Sequence, residues 1–122
     1  MPDGCKQLGS FKLIRVQSPF DFVLCNRRTN HFVFCDAKTV QTNTFVPSMI
    51  KEHQVNELEK FDGLNSSKAG YLISFDKLSK AAFFDTEALR TCVRTGKGLR
   101  PENGIALGHK FNLCLNDIFT NA

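Results

Sequence analysis

Long apolar runs are missing from this sequence. The longest are a few residues, against the roughly 20 that a membrane-crossing helix needs, so a spanning helix is excluded and no membrane partner is expected. Cysteine pairs with CxxC spacing are also missing. The five cysteines (Cys5, Cys25, Cys35, Cys92 and Cys114) are odd in number, which argues against a zinc site and against a secreted disulfide framework. Cys25 and Cys35 lie in apolar stretches and read as buried small hydrophobes. No repeat, low-complexity tract or long linker occurs. Met1-Pro2-Asp3-Gly4 leads into no apolar segment, so a secretory signal is not expected, and the cysteines fit a reducing, cytoplasmic compartment.

What is present is one domain's worth of chain. Its 122 residues are 42% hydrophobic and 23% charged, which excludes wholesale disorder and predicts a single domain over 1–122. The net charge of +4 is modest but uneven: +3 over residues 1–28, −2 over 29–89 and +3 over 90–122. Basic flanks around a more acidic middle suit a polyanion approaching a metal-binding centre; solvated surface charge gives the same pattern.

Local patterning predicts strands at Phe11–Val16, Asp21–Cys25 and His31–Lys38. The polar turn Asn26-Arg27-Arg28-Thr29-Asn30 joins the last two as a hairpin. A Thr-, Asn- and Pro-containing loop follows from Thr39 to Pro47. Ser48 is the expected cap of a helix from Met49 to Phe61, with Glu52 in its first turns. Strands are expected at Ala69–Phe75 and Lys80–Phe84, then a helix over Thr86–Thr95 capped by Asp85 and ended by Gly96-Lys97-Gly98. Phe111–Phe119 reads as an edge strand or a short helix. This order of elements predicts a mixed α/β or α+β domain around one sheet.

Strand parity carries the chemical signal. Phe32, Phe34, Asp36 and Lys38 share one face of the third strand, so an acid and a base continue an apolar row. Burying them without partners would be costly, and either a salt bridge or a metal ion with water could compensate. Asp21 starts the neighbouring strand, where the hairpin can bring it to Asp36. Two carboxylates beside a lysine make a hard, oxygen-rich site suited to Mg²⁺ or Mn²⁺. An ion pair between Lys38 and one aspartate is the structural alternative. On the first helix, Ile50, Gln54, Leu58 and Phe61 fall on one face, and Gln54 is the polar member of that stripe. It could reach a metal-bound water or a scissile phosphate, or simply bond a strand-end backbone group. His53, adjacent, could contact substrate or sit at the surface.

The order Ser18-Pro19-Phe20-Asp21, then Asp36-Ala37-Lys38, resembles the PD-(D/E)XK nuclease motif, with Pro19 displaced by one position. The stretch Phe20 to Phe75 resembles small phage and bacterial Holliday-junction resolvases of the RecU-like type. The matching residues are Asp21-Phe22-Val23-Leu24, Phe34-Cys35-Asp36-Ala37-Lys38-Thr39, Phe45, Ile50, His53-Gln54, Leu58 and Ala69-Gly70-Tyr71-Leu72-Ile73. The resemblance implies a restriction-endonuclease-like core, a mixed β-sheet flanked by helices. It implies Mg²⁺-dependent (or Mn²⁺-dependent) phosphodiester hydrolysis of four-way DNA junctions by a homodimer, in the host-cell cytoplasm if the chain is phage-encoded. Asp21 and Asp36 would bind metal, Lys38 would be catalytic, and Gln54 would support the site. Many members carry an acidic residue on a helix before the first core strand; here Asp3 is the sole acid before Phe11.

Lys6, Lys12, Arg15, Arg27, Arg28 and His53 are the expected DNA contacts. Arg27 and Arg28 sit at a hairpin tip, where long cationic side chains can reach backbone phosphate; plain solvation of a turn is the alternative. Two other functions stay open. One is a nuclease of the same core acting on other branched, nicked or flapped DNA, or in restriction. The other is a DNA-binding module with a weakened core.

Overall fold

Strand-forming runs rich in Phe, Val and Ile supply most of the architecture, with two amphipathic helices between them. The computed structural model describes residues 11–15, 21–26, 30–64, 67–109 and 112–113. In chain order the elements are β1 (Phe11–Arg15), β2 (Phe22–Asn26), β3 (His31–Val40), α1 (Glu52–Glu59), β4 (Lys68–Phe75), β5 (Lys80–Asp85), α2 (Thr86–Thr95), β6 (Ile105–His109) and β7 (Asn112–Leu113). They build one seven-stranded sheet whose spatial order follows the sequence. Every neighbouring pair is antiparallel except β3 and β4, which run parallel. A parallel pair needs a crossover, and the segment holding α1 provides it. The fold is therefore α+β on a mixed sheet.

Register assigns the two faces. Phe34, Asp36 and Lys38 lie beside Ala69, Tyr71 and Ile73 of β4, and Tyr71 and Ile73 in turn face Phe84 and Ala82 of β5. Both helices cover this face: Val55 and Leu58 of α1 and Leu89 and Cys92 of α2 join its core, with Phe34 and Phe61 packed against it at 4.8 Å between ring centroids. Val33 and Cys35, pointing the other way, are also fully buried. A strand buried on both faces explains why β3 reads as nearly continuous hydrophobic sequence until Asp36. The two helices are braced to each other by Arg90, whose guanidinium grips Glu59 through Nε at 3.0 Å and Nη2 at 2.8 Å and also reaches Asn56.

The ends of α2 follow from local chemistry. The Asp85 side chain accepts the Ala88 N–H at 2.9 Å, and Gly96 closes the helix at φ 75°, a conformation glycine adopts at little cost.

The start of α1 differs from expectation. Ser48 does not cap it. Pro47–Met49 form a single 3₁₀ turn, Ile50 and Lys51 are extended, and the helix begins at Glu52. The reason is tertiary: the Lys51 N–H is taken by the Tyr71 hydroxyl at 3.2 Å, which holds that residue at the threshold of the helix. Ile50 therefore lies outside α1, although it still packs on the core. The expected edge element at 111–119 is described only at Asn112–Leu113, which form β7; the rest lies outside the described residues. β6 was not legible in the sequence. It is five residues long and contains Gly108, and it forms by pairing with β5, with a register shift between Lys80 and Ala82.

Candidate active site

The site lies where β2 begins and β3 passes it. The Asp21 N–H donates to Asp36 Oδ1 at 3.0 Å, and the Ala37 N–H donates to Asp21 Oδ2 at 2.8 Å. Each carboxylate is thus held by a backbone amide from the other's strand. A further bond, Asp21 N–H to the Cys35 carbonyl at 2.9 Å, extends the hairpin ladder to this point. These three bonds keep two like charges side by side. Asp21 is exposed, whereas Asp36 is only 2% exposed, and its Oδ2 is buried without a hydrogen-bond donor.

That environment penalises the ionised form of Asp36. Its carboxyl is pushed up to about 6, first by burial and then by the Asp21 charge; Lys38, the Asp21 N–H and His53 oppose the shift. The neighbouring Cys35 thiol is pushed up by burial and by both carboxylates, so it is an inert core group. Lys38 does not form the alternative ion pair: among the described residues its Nζ has no carboxylate partner and instead stands 5.0 Å from the centre of the Tyr71 ring.

Gln54 is half-buried at the start of α1, and its Oε1 accepts the Tyr71 hydroxyl proton at 2.6 Å. Its partner is therefore a tyrosine of β4 and not a strand-end backbone group. His53 is exposed, near enough for its charge to act on Asp36. Asp21 and Asp36 thus come together with Lys38 close enough to act on Asp36, and Gln54 joins them through Tyr71, with His53 at the margin.

The expected DNA contacts are spread differently. Lys6, Arg27 and Arg28 lie outside the described residues. Lys12 and Arg15 lie on β1, two strands from β3. Through the register, the Arg15 backbone is level with Cys35 at the site end, and that of Lys12 with Phe32 toward the other end. Asp3, the candidate for the missing acidic group, also lies outside the described residues.

Tyr71 was missed by sequence reasoning. A signal existed: it is the chain's one tyrosine, placed within the apolar run Ala69–Ile73, where a buried hydroxyl needs partners.

The donor set fits a hard divalent cation. A buried carboxylate oxygen lacking any hydrogen bond, beside a second carboxylate, is what such an ion would neutralise. No group of three or more His, Cys, Asp or Glu residues gathers among the described residues, so the protein itself offers such an ion two carboxylates.

No family model matches the chain, and no curated protein matches it. Among solved structures it is similar to Hjc, a Holliday junction resolvase from the archaeal hyperthermophile Archaeoglobus fulgidus. The two share 24% identity at a TM-score of 0.51, over 71% of this chain and 76% of that one. The likeness is one of fold alone. Among the described residues, no helix is long and apolar enough to cross a membrane.

Proposed function

We propose that this chain is a divalent-metal-dependent endonuclease that cuts four-way DNA junctions as a homodimer. The observation that carries this reading is the pairing of Asp21 with a buried Asp36 whose Oδ2 has no donor, on the strand that also presents Lys38. The fold shared with a junction resolvase supports it.

Asp21 and Asp36 would hold one Mg²⁺ or Mn²⁺. Bound there, the ion would polarise the scissile phosphoryl group and make the attacking water more acidic. Lys38 brings an ammonium to the same face, where it orients the water and offsets charge that builds on the phosphate oxygens. Gln54 supplies an amide donor to a phosphate oxygen. Hydrolysis forms one P–O bond to water and breaks one P–O bond of the diester, leaving a phosphomonoester and a hydroxyl. Two symmetric cuts in a junction call for two such sites, which a twofold dimer supplies.

A DNA-binding module with a weakened core is the second reading, favoured by the presence of only two site carboxylates among the described residues. The deciding assay incubates the full chain with Mg²⁺ or Mn²⁺ and a four-way junction, a linear duplex or a flap. Paired nicks in the junction, stopped by EDTA, are expected. Junction binding without cleavage under either metal would leave the binding module. Equal cutting of linear duplex would remove the junction preference, and stronger cutting of the flap would point to other branched DNA.

A further inference from the structure

Tyr71 touches three parts of the candidate site. Its hydroxyl donates to Gln54 Oε1 at 2.6 Å and accepts the Lys51 N–H at 3.2 Å, the amide at the threshold of α1. Its ring lies 5.0 Å from Lys38 Nζ. In the parallel β3–β4 register it pairs with Asp36, and the residue is fully buried. A side chain this enclosed holds one rotamer.

We propose that Tyr71 is the positioning residue of this site: its hydroxyl fixes which way the Gln54 amide faces, and its ring supports the Lys38 ammonium. The inference rests on the nuclease reading above. The direction of the amide follows from proton counting. A hydroxyl has one proton to give. If Gln54 instead donated through Nε2, the oxygen would accept twice and, among the described residues, the hydroxyl proton would have no partner; Gln54 therefore presents its carbonyl oxygen. Gln54 Nε2 then points away from Tyr71, and among the described residues it has no hydrogen-bond partner. An amide held by its oxygen, with its N–H₂ free, is prepared to donate to an anionic phosphate oxygen without first losing rotational freedom. The bond to Lys51 fixes the start of the helix that carries Gln54, so one hydroxyl sets both the backbone and the side chain of that donor.

Tyr71→Phe removes the oxygen and keeps the ring beside Lys38. Single-turnover junction cleavage should slow by about ten- to a hundredfold, the effect of losing one supporting hydrogen bond, with KM for the junction unchanged. The double variant Tyr71→Phe/Gln54→Ala should be no slower than Gln54→Ala alone, because both changes remove the same donor. Losses that multiply in the double variant would overturn the proposal. A second arm needs no DNA. In ¹⁵N-labelled protein, the Gln54 side-chain amide pair, identified by its loss in Gln54→Ala, should move toward the position of a free glutamine in Tyr71→Phe. An unmoved pair would overturn the proposal. Gln54→Glu covers the case in which Tyr71→Phe folds poorly. It keeps an acceptor for the hydroxyl and so the fold, but it lacks the N–H₂ donor and should cleave slowly; wild-type cleavage by it would overturn the proposal. A wild-type chain that cuts no DNA would refute the nuclease reading, while the amide resonances would still show whether Tyr71 orients Gln54.

Discussion

Asp36→Asn should gain stability relative to wild type as pH rises, and it should end cleavage. The carboxyl of Asp36 is held up to about 6, against 3.8 for an ordinary aspartate. A raised pKa means that the folded state keeps its proton more tightly than the unfolded chain does. Between those two values the unfolded chain binds fewer protons, so this group's contribution to stability falls as pH rises, and the penalty is complete above about 6. The span from 3.8 to about 6 corresponds to a penalty of about 3 kcal/mol at about pH 8, most of which is gone at about pH 4. Asparagine keeps the shape and the Oδ1 acceptor for the Asp21 N–H but carries no charge at either pH. Whatever its new amide group gains or loses in hydrogen bonding is the same at both pH values and cancels in the comparison. The stability of Asp36→Asn relative to wild type should therefore improve by about 2 kcal/mol from about pH 4 to about pH 8, on the order of 10 °C in melting temperature for a domain of this size. Thermal or urea melts in EDTA would measure it. Adding Mg²⁺ at the higher pH should then raise the melting temperature of wild type and leave that of the variant unchanged, since ligand binding to the folded state alone stabilises it. A relative stability that is the same at both pH values would refute the reasoning from burial and the Asp21 charge.

Lys38→Ala and Asp21→Asn should each slow single-turnover cleavage by about a hundredfold or more while junction affinity stays near wild type, as expected when transition-state charge loses its support; equal losses in rate and binding would count against the catalytic assignment. Junction affinity should fall steeply with salt, and the combined Arg27→Ala/Arg28→Ala variant should reduce that salt slope by about 0.9 for each phosphate contact removed; an unchanged slope would leave those arginines as solvated turn residues. Gly70→Ala should destabilise the fold by about 3 kcal/mol, because an added Cβ would fall on the Phe84 carbonyl, 2.8 Å from its carbon and 2.9 Å from Asp85 Cα, and would force β4 and β5 apart. A denaturation midpoint equal to wild type would show that the strands part at little cost.

Much of this was legible because it depends on neighbours in sequence. The alternation of a strand puts Phe34, Asp36 and Lys38 on one face without reference to anything else in the chain. The Asp85 cap and the Gly96 stop need only the residues of α2 itself. The polar turn between two apolar runs made the β2–β3 hairpin readable, and with it the approach of Asp21 to Asp36. The tertiary structure decided what distant segments do to each other. Only the parallel pairing of β3 with β4 sets Tyr71 beside Asp36, 35 residues away in sequence. Only that placement gives Gln54 a partner, takes the Lys51 N–H from the expected helix and moves its start from Met49 to Glu52. β6 likewise exists through the neighbour it pairs with. Periodicity and capping are short-range properties of a backbone, whereas a buried hydroxyl or an orphaned carboxylate oxygen acquires its role from groups that folding brings within hydrogen-bond reach.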